Sequence, residues 1–501
     1  MSIRTLRFAV LVPLLLGALA SVSAPATAAT YYVRNGGDDA NDGRSHATAW
    51  ASIAKINSHA FRSGDSVLFH EGDRWGGSTL VVDWGGTSQQ HAVVGAYYLK
   101  EGKETRGVRA ERPIIDGEDR VPTRYDALVR VVADRVRVEN LALRNSEGRG
   151  ITFSESDSSE AVALAISNTY DIGIAVLKSD DALIEGSSVT ESDRGWLEDK
   201  VTWGAAIGVQ ASARPRVRHN TVSRVYGEGI NLNHGTTDGI VEHNYVFAAR
   251  AVGIYVDASP RATIRRNMVV GTSERQLWRG GNTVGAGIVL CNEEYHYEGG
   301  SALDHDVQST GARIHNNLVA FTNQGIGLWR HWSGTKLADL LIANNTLVDN
   351  ETQLSGYNGA LPRSELSNNI LLSLSDGTRD VGDTRMTGIV ARNNYFSRGD
   401  PGGALSHDGN RFSGAQLARM HDWRRVAAPD DVRWQDFAPV QVSVTNGKGT
   451  AAAAKPEGAL EDHLLDFNAT PHNDPPEMGA LRYGPSARTP RSPRGLGTRT
   501  Q

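Results

Sequence analysis

The chain has 501 residues, of which 39% are hydrophobic and 22% are charged, and its formal net charge at pH 7 is -5. This balance excludes both an intrinsically disordered acidic chain and a strongly basic nucleic-acid-binding protein. Cys291 is the single cysteine of the sequence, so neither an intramolecular disulfide nor a cysteine-based metal cluster can form. Stability must therefore come from side-chain packing and backbone hydrogen bonds.

The first residues have the pattern of a secretory signal peptide. Arg4 and Arg7 precede an apolar run at 8–20, and small residues at 26–28 form a cleavage site. The run is shorter than the roughly 20 apolar residues that a membrane-spanning helix needs. We therefore predict that residues 1–29 are removed and that the mature protein is secreted or periplasmic, with no membrane span.

A short helix is predicted near the start of the mature chain. Ile53, Ile56, Ala60 and Phe61 recur at helical spacing after Trp50. A stack of strands exposes unpaired backbone at its ends. An amphipathic helix at this position would therefore cap the N-terminal end of such a stack.

The middle of the chain repeats with a period of about 24 residues, which is typical of a solenoid. Each repeat places an asparagine after a short apolar strand, at Asn140, Asn220, Asn244, Asn267, Asn317, Asn345, Asn369 and Asn394. The period is too short for a βαβ unit, but it fits a coil of three short parallel strands. Because buried amides must be hydrogen-bonded, we predict that the asparagines form an inward-facing ladder.

These features resemble the right-handed parallel β-helix proteins of the pectate-lyase-like superfamily. The opening of exported members is matched by Tyr31-Tyr32-Val33, Gly37-Asp38, Asn41-Asp42-Gly43, Ala49-Trp50 and 63–67, and their last coil by 466–468 and 478–480. The resemblance implies an all-β fold, a right-handed parallel β-helix solenoid over residues 30–484 with an N-terminal capping helix and loop insertions. It also implies activity on a polysaccharide, but not a particular reaction, since this scaffold carries lyases, hydrolases and epimerases.

A Gly-Ile strand follows in most repeats and is predicted to stack into one sheet. Its isoleucines are Ile151, Ile174, Ile207, Ile230, Ile254, Ile288 and Ile326. Alternation along each strand directs these residues inward and their neighbours outward. The outward set includes Asn231, Asn233, Tyr255, Asp257, Gly327 and Trp329. Such a column of polar and aromatic side chains is suited to binding a polymer.

Three insertions interrupt the period beside this sheet, at 193–203, 272–284 and 292–311. Long loops on a regular repeat usually carry binding function. Five predicted substrate-binding residues come from them: Trp203, Trp278, Arg279, Glu293 and Tyr295. Aromatic and cationic side chains together suit stacking on sugar rings and pairing with carboxylates. The alternative is that the aromatic side chains only fix the loops in place.

The leading hypothesis for the reaction is β-elimination of an acidic polysaccharide. A lyase needs a base for the proton next to the uronate carboxylate, a cation that neutralises this carboxylate, and an acid for the leaving oxygen. The candidates for acid and base are His234, Tyr255 and His331, and those for substrate binding include Arg330, Lys336 and the neighbouring Trp329. The expected partner is thus an anionic polysaccharide and not nucleic acid, and a monomer is expected.

Three alternatives remain open. Hydrolysis needs two carboxyl groups flanking the bond, and Glu228, Asp257 and Glu293 supply them. A polysaccharide C5-epimerase is the second alternative, because the Asp-His-Asp at 304–306 is similar to the Asp-Pro-His-Asp motif of alginate C5-epimerases. A non-catalytic carbohydrate-binding β-helix is the third, although it predicts a smooth stack without converging loops.

No cofactor is certain, and calcium stays open. Lys178-Ser179 followed by His234-Gly235 resembles the pattern of β-helix alginate lyases. Of the calcium-binding acids expected before the lysine, Asp171 alone is matched, and Gly173 stands where a carboxylate is expected. A metal-free site neutralised by arginine or lysine is the alternative.

The last residues, 485–501, hold four arginines among Pro, Ser, Thr and Gly, with no hydrophobic period. A chain of this composition cannot bury enough apolar surface to fold. We therefore predict a disordered basic tail after the β-helix domain.

Overall fold

The computed structural model describes residues 28–200, 202–293, 307–330, 334, 336–356, 359–382, 386–398 and 406–408. Most of the predicted signal peptide, the closing coil at 466–480 and the predicted basic tail lie outside these residues, as do Tyr295, the motif at 304–306 and His331. Within them, the regular structure is nearly all β-strand. The helices are Ile53–Ser58, Arg194–Glu198 and the 3₁₀ turn Arg275–Leu277.

Each coil of the chain contributes strands to three long sheets, which we name A, B and C in the order in which the chain reaches them. Sheet A contains Thr30–Val33, Ser66–His70, Ala92–Lys100, Lys103–Arg106, Val136–Glu139, Glu160–Val162, Leu183–Glu185, Arg216–Arg218, Ile240–Glu242, Thr263–Arg265, Arg313–His315, Leu341–Ala343, Gly359–Ser367, Met386–Arg392 and Ser406–Asp408. Sheet B contains Arg74–Gly76, Ile114–Asp116, Ala142–Ser146, Ala165–Thr169, Ser188–Thr190, Thr221–Val225, Tyr245–Ala249, Met268–Val270, Leu318–Ala320, Thr346–Val348, Ile370–Leu372 and Tyr395–Phe396. Sheet C contains Leu80–Val82, Ala127–Val131, Arg149–Ser154, Ile174–Leu177, Ala205–Gln210, Glu228–Asn233, Val252–Asp257, Ala286–Cys291, Gln324–Leu328, Thr352–Ser355 and Arg379–Val381.

The hydrophobic core runs along the axis of the stack. In one coil the inward residues of the three sheets are Val217, Val222 and Ile230, all fully buried. They pair in parallel register with the equivalent residues of the next coil. Because one coil alone could not bury this surface, each coil depends on its neighbours.

The predicted stacking of the isoleucines in sheet C is confirmed. All seven are paired in register from coil to coil and are fully buried. The intervening residues, among them Asn231, Tyr255 and Asp257, therefore lie on the outer face of the sheet.

The predicted asparagine ladder is confirmed at the corner between sheets A and B. Each side-chain amide donates to the carboxamide oxygen of the next asparagine over 2.9 to 3.1 Å. Its members are Asn220, Asn244, Asn267, Asn317, Asn345, Asn369 and Asn394. The amides satisfy one another, so the ladder is a structural feature.

Asn140 is a correction to this prediction, because it lies one residue before the ladder position. Its φ of 57° is left-handed, a conformation that asparagine tolerates better than most residues. The ladder position of that coil is the buried Leu141, and the next two coils have Leu164 and Ser187 there. In the last four coils of the ladder both positions are asparagine, so the sequence alone does not distinguish them.

The capping helix lies where it was predicted but is shorter. Ser52 accepts a hydrogen bond from the backbone N–H of Lys55, which caps the helix Ile53–Ser58, and Ile53 and Ile56 pack into the core. The chain is already extended at His59. Phe61 therefore lies beyond the helix, where its ring stacks on Trp84 at 3.9 Å.

Candidate active site

Two loops flank a stretch of the corner between sheets B and C. The 193–203 loop leads into the strand Ala205–Gln210, and the 272–284 loop leads into Ala286–Cys291. The two coils between these loops have only two residues between their sheet B and sheet C strands at this corner. Strands in a sheet are about 4.8 Å apart, so the bases of the loops are separated by three spacings, about 14 Å. The third insertion leaves Ala286–Cys291 at the opposite side of sheet C.

Five of the predicted site residues lie along the outer face of sheet C and interact electrostatically. Glu228 begins its strand, Tyr255 and Asp257 lie on the next strand, and His234 and Glu293 follow the ends of their strands. Electrostatic interactions join Glu228 to the two other acids, and Glu293 to the histidine and the tyrosine. We call this group the carboxylate cluster. Although the group lies on the outer face, Glu228, Tyr255 and Asp257 are at most 4% exposed, so their charges are poorly screened by water.

Glu228 is the most perturbed acid of the cluster. Burial raises its pKa to about 8, and the nearby Glu293 and Asp257 act in the same direction. Asn231 donates from Nδ2 to Oε2 at 2.8 Å, and Trp203 donates from Nε1 to Oε1 at 3.4 Å. These donors lower the pKa but do not offset burial. Glu228 is therefore mostly protonated at neutral pH and can act as an acid.

The other two acids are linked to each other and to Tyr255. The backbone N–H of Glu293 donates to Oδ1 of Asp257 at 2.7 Å, and the Tyr255 hydroxyl donates to Oε1 of Glu293 at 2.6 Å. Burial raises the pKa of Tyr255 above its usual range and raises that of the adjacent Cys291 thiol to about 12. Both groups are thus protonated at neutral pH, and Tyr255 fixes the orientation of Glu293.

His234 lies at the end of the strand Glu228–Asn233, half-buried. Its Nδ1 contacts the Gln210 amide nitrogen. Burial lowers its pKa to about 4, although Glu293 acts in the opposite direction. His234 is therefore neutral at neutral pH and a weak base.

Tryptophan and arginine side chains of the two loops meet beside Glu228. Trp203 is 46% exposed, and its ring lies 4.8 Å from that of Trp196, nearly perpendicular to it. The guanidinium carbon of Arg279, from the 272–284 loop, lies 5.3 Å from the Trp203 ring centroid. The loops therefore contact each other across the corner. Trp203 is the predicted substrate-binding residue whose exposure fits that role best.

The remaining predicted residues lie around this centre. Trp278 donates from Nε1 to its own loop, at the Thr272 carbonyl, and so fixes the loop in place. Trp329 donates to Gln324 and its ring lies 6.0 Å from that of Tyr255, at the edge of the cluster. Arg330 and Lys336 are exposed at the following turn. Their roles in binding stay predictions.

The residues considered for calcium do not fit that ion. Asp171, the acid matched to the alginate-lyase pattern, forms an ion pair with Arg149 at 2.8 Å. In the described part of the chain, no three His, Cys, Asp or Glu side chains are grouped as metal ligands. The described residues therefore offer no ligand set for calcium.

Sequence reasoning missed two residues of the site. Asn231 was assigned to the outward column but not to Glu228, to which it donates. Arg250 was not singled out at all, although it is buried against Trp196 of the 193–203 loop. Its signal in the sequence is a charged residue in a tight turn that lies between two coils with long insertions.

Comparison with known proteins agrees with this architecture. Residues 127–298 match the family model described as "Right handed beta helix region". The chain is a right-handed parallel β-helix protein. The resemblance to the pectate-lyase-like superfamily is thereby supported at the level of the fold. No curated protein sequence matches the chain.

Solved β-helix structures similar to this one include lyases and a hydrolase. Pectate lyase Pel9A has a TM-score of 0.51 at 13% identity, over 91% of this chain and 97% of that one. A rhamnogalacturonan lyase has a TM-score of 0.47 at 11% identity, and the match covers 73% of this chain and 87% of the lyase. The GH136 lacto-N-biosidase from Eubacterium ramulus has a TM-score of 0.43 at 14% identity, and the match covers 72% of this chain and 67% of the biosidase. At 13% identity, the similarity to pectate lyase Pel9A shows the fold alone. Among the described residues, each helix of this β-helix is too short or too polar to cross a membrane.

Proposed function

We propose that this β-helix is an exported glycoside hydrolase in which Glu228 is the proton donor. The observation that carries the proposal is a buried carboxyl group, protonated at neutral pH, within electrostatic reach of two further acids, Asp257 and Glu293. Glycoside hydrolysis needs a carboxylic acid that donates a proton and a second carboxyl group that acts as nucleophile or base. Several solved proteins with the same fold act on glycans by name, which is compatible with a carbohydrate substrate.

The chemistry follows from the roles of the carboxyl groups. Glu228 gives its proton to the glycosidic oxygen while the bond from this oxygen to the anomeric carbon breaks. In one course, Asp257 or Glu293 attacks the anomeric carbon, and water, deprotonated by the now charged Glu228, then breaks the resulting glycosyl ester. In the other, Asp257 or Glu293 removes a proton from the water that attacks the anomeric carbon directly. The Tyr255 hydroxyl, which donates to Glu293, orients that carboxylate. The anomeric configuration of the first product distinguishes the two courses, since a covalent intermediate retains it and direct attack by water inverts it.

β-Elimination is the second candidate, favoured by a neutral histidine within electrostatic reach of Glu293. Two features make it the weaker one. His234, with a pKa of about 4, is a poor acceptor for a carbon-bound proton, and burial keeps Tyr255 protonated.

The test is a time course of the purified mature protein on pectate, alginate, glucuronan and neutral glycans. It follows reducing ends together with the ultraviolet absorbance of an unsaturated uronate. New reducing ends without absorbance, lost in Glu228→Gln but kept in Glu185→Gln, are the expected result. Glu185 is the control because it lies on sheet A and pairs there with Arg218. New ends with absorbance would establish the lyase instead, and binding without turnover of any glycan would establish a binding protein.

A further inference from the structure

Arg250 is a buried cation without a counter-ion that matches it. The residue is 9% exposed, and its guanidinium carbon lies 4.6 Å from the centroid of the Trp196 ring. Its Nη1 is buried and has no hydrogen-bond partner in the described part of the chain. A buried guanidinium nitrogen without an acceptor is unfavourable. The local structure therefore favours an acceptor supplied from outside the chain.

A second cation lies across the same corner. Arg279 is exposed and contacts the Trp203 ring, which in turn contacts Trp196. The two arginines are close enough for Arg279 to lower the pKa of Arg250, after the larger effect of burial. Arg250 and Arg279 thus lie at the two ends of a row whose middle is the Trp196–Trp203 pair, beside Glu228. A negatively charged group at this corner would relieve the repulsion between the cations.

The nearest acid compensates only in part. Asp193 is the acid that favours the charged form of Arg250. Burial raises the pKa of Asp193 to about 7, although Thr202 and Gly204 act in the opposite direction. At neutral pH Asp193 is therefore uncharged in about half of the protein molecules. The corner retains an excess of positive charge, whereas the carboxylate cluster next to it is acidic.

We propose that this corner is a subsite for the anionic group of an acidic sugar, a carboxylate or a sulfate ester, next to the bond that is cleaved at Glu228. The subsite comprises Arg250, Arg279, Trp196 and Trp203. Guanidinium groups bind such oxygens through paired, charge-assisted hydrogen bonds. Trp203 connects the two sites, because its Nε1 also donates to Glu228. This inference rests on the proposed function only for the position of the cleaved bond.

Binding without turnover tests the subsite separately from the reaction. Sodium glucuronate, glucose 6-sulfate and glucose are titrated into the full mature protein at low salt, and binding is measured by calorimetry or by ligand-observed NMR. The expected result is that one or both anionic sugars bind at least about tenfold more tightly than glucose, and that salt weakens this preference. Stronger binding of glucuronate identifies a carboxylate, and stronger binding of the sulfate ester identifies a sulfated sugar.

Variants locate the binding. Arg279→Gln changes an exposed residue and is expected to reduce the preference about tenfold, and Arg250→Gln is expected to abolish it. Arg275→Gln is the matched control, since Arg275 lies in the same loop but over Trp278. Equal affinity for all three sugars, or a preference that survives Arg279→Gln in the folded protein, would overturn the subsite. Repeating the titration with Glu228→Gln separates the two proposals, because the subsite must still bind when the reaction is lost.

Discussion

The asparagine ladder and the carboxylate cluster are both rows of buried polar side chains, but their partners differ. In the ladder, Asn317 donates to Asn345 and accepts from Asn267, and the other amides between the two end members repeat this arrangement. In the cluster, Glu228 is buried near two other acids, and its two hydrogen-bond donors do not compensate, so its charged form is disfavoured. Complete mutual hydrogen bonding specifies a structure. Incomplete compensation of charge changes proton affinity, and such groups are candidates for chemistry.

The largest expected effect is on the rate of the proposed reaction in Glu228→Gln. Loss of a general acid lowers the rate about 10²- to 10⁴-fold, while the folded protein should become more stable at pH 8, because a buried acid no longer has to ionise. Steady-state kinetics and urea unfolding measure the two effects. An inactive and less stable variant would place Glu228 with the structural polar groups instead.

Asn317→Ala should show the opposite pattern. Asn317 donates to Asn345 at 3.0 Å and to the Ile264 carbonyl at 2.8 Å, and its removal leaves several buried groups unpaired. We expect the free energy of unfolding to fall by about 3 to 5 kcal/mol, with little change in turnover per folded molecule. Asn323→Ala is the control, since its amide bonds to Glu351 at the surface and should cost less than about 1 kcal/mol.

The pH dependence of stability gives a third, smaller contrast. Glu228 has a pKa of about 8 in the folded protein, above the ordinary value of 4.5, so the folded state binds an extra proton between these values. Stability from this group is therefore full below pH 4.5 and is lost as the pH rises through 8. The difference in unfolding free energy between Glu228→Gln and the wild type should increase over this window. A constant difference would show that Glu228 ionises normally.

The smallest effect is expected at an exposed ion pair. Arg261 makes two hydrogen bonds of 2.7 Å to Asp238, and both side chains are solvent-exposed. Arg261→Ala should lower the unfolding free energy by no more than about 1 kcal/mol, and less in high salt. A loss as large as that of Asn317→Ala would mean that surface pairs, and not the ladder, stabilise the stack.

The sequence predicted the coil, the ladder and the inward isoleucines because each depends on a short-range pattern that recurs in every repeat. The site is less predictable because its residues lie in different coils. Asp257 was identified from its outward position and Glu228 as a carboxyl group between the insertions, but the burial that raises the pKa of Glu228 depends on how the loops pack. Arg250 was missed for the same reason, since its contact with Trp196 joins two coils that no local pattern connects.

The error at Asn140 has a different origin. Two adjacent positions accept asparagine for unrelated reasons, one because the backbone is left-handed and the other because the side chain joins the ladder. The repeat pattern predicts an asparagine at the corner between sheets A and B, but it does not show which of the two adjacent positions joins the ladder. Register along the stack, which requires neighbouring coils, resolves the ambiguity.

The placement of both loops on one corner bears on how such a chain can evolve. Repeat proteins readily gain or lose whole units, because each new coil finds the same neighbours. One extra coil between Gln210 and Glu228 would preserve the ladder and both loops, yet it would move Trp203 away from Glu228 by about 4.8 Å. It would also separate Trp203 from Arg279. A coil gained within residues 193–293 would therefore disrupt the proposed site, even though it would leave the packing of the stack intact.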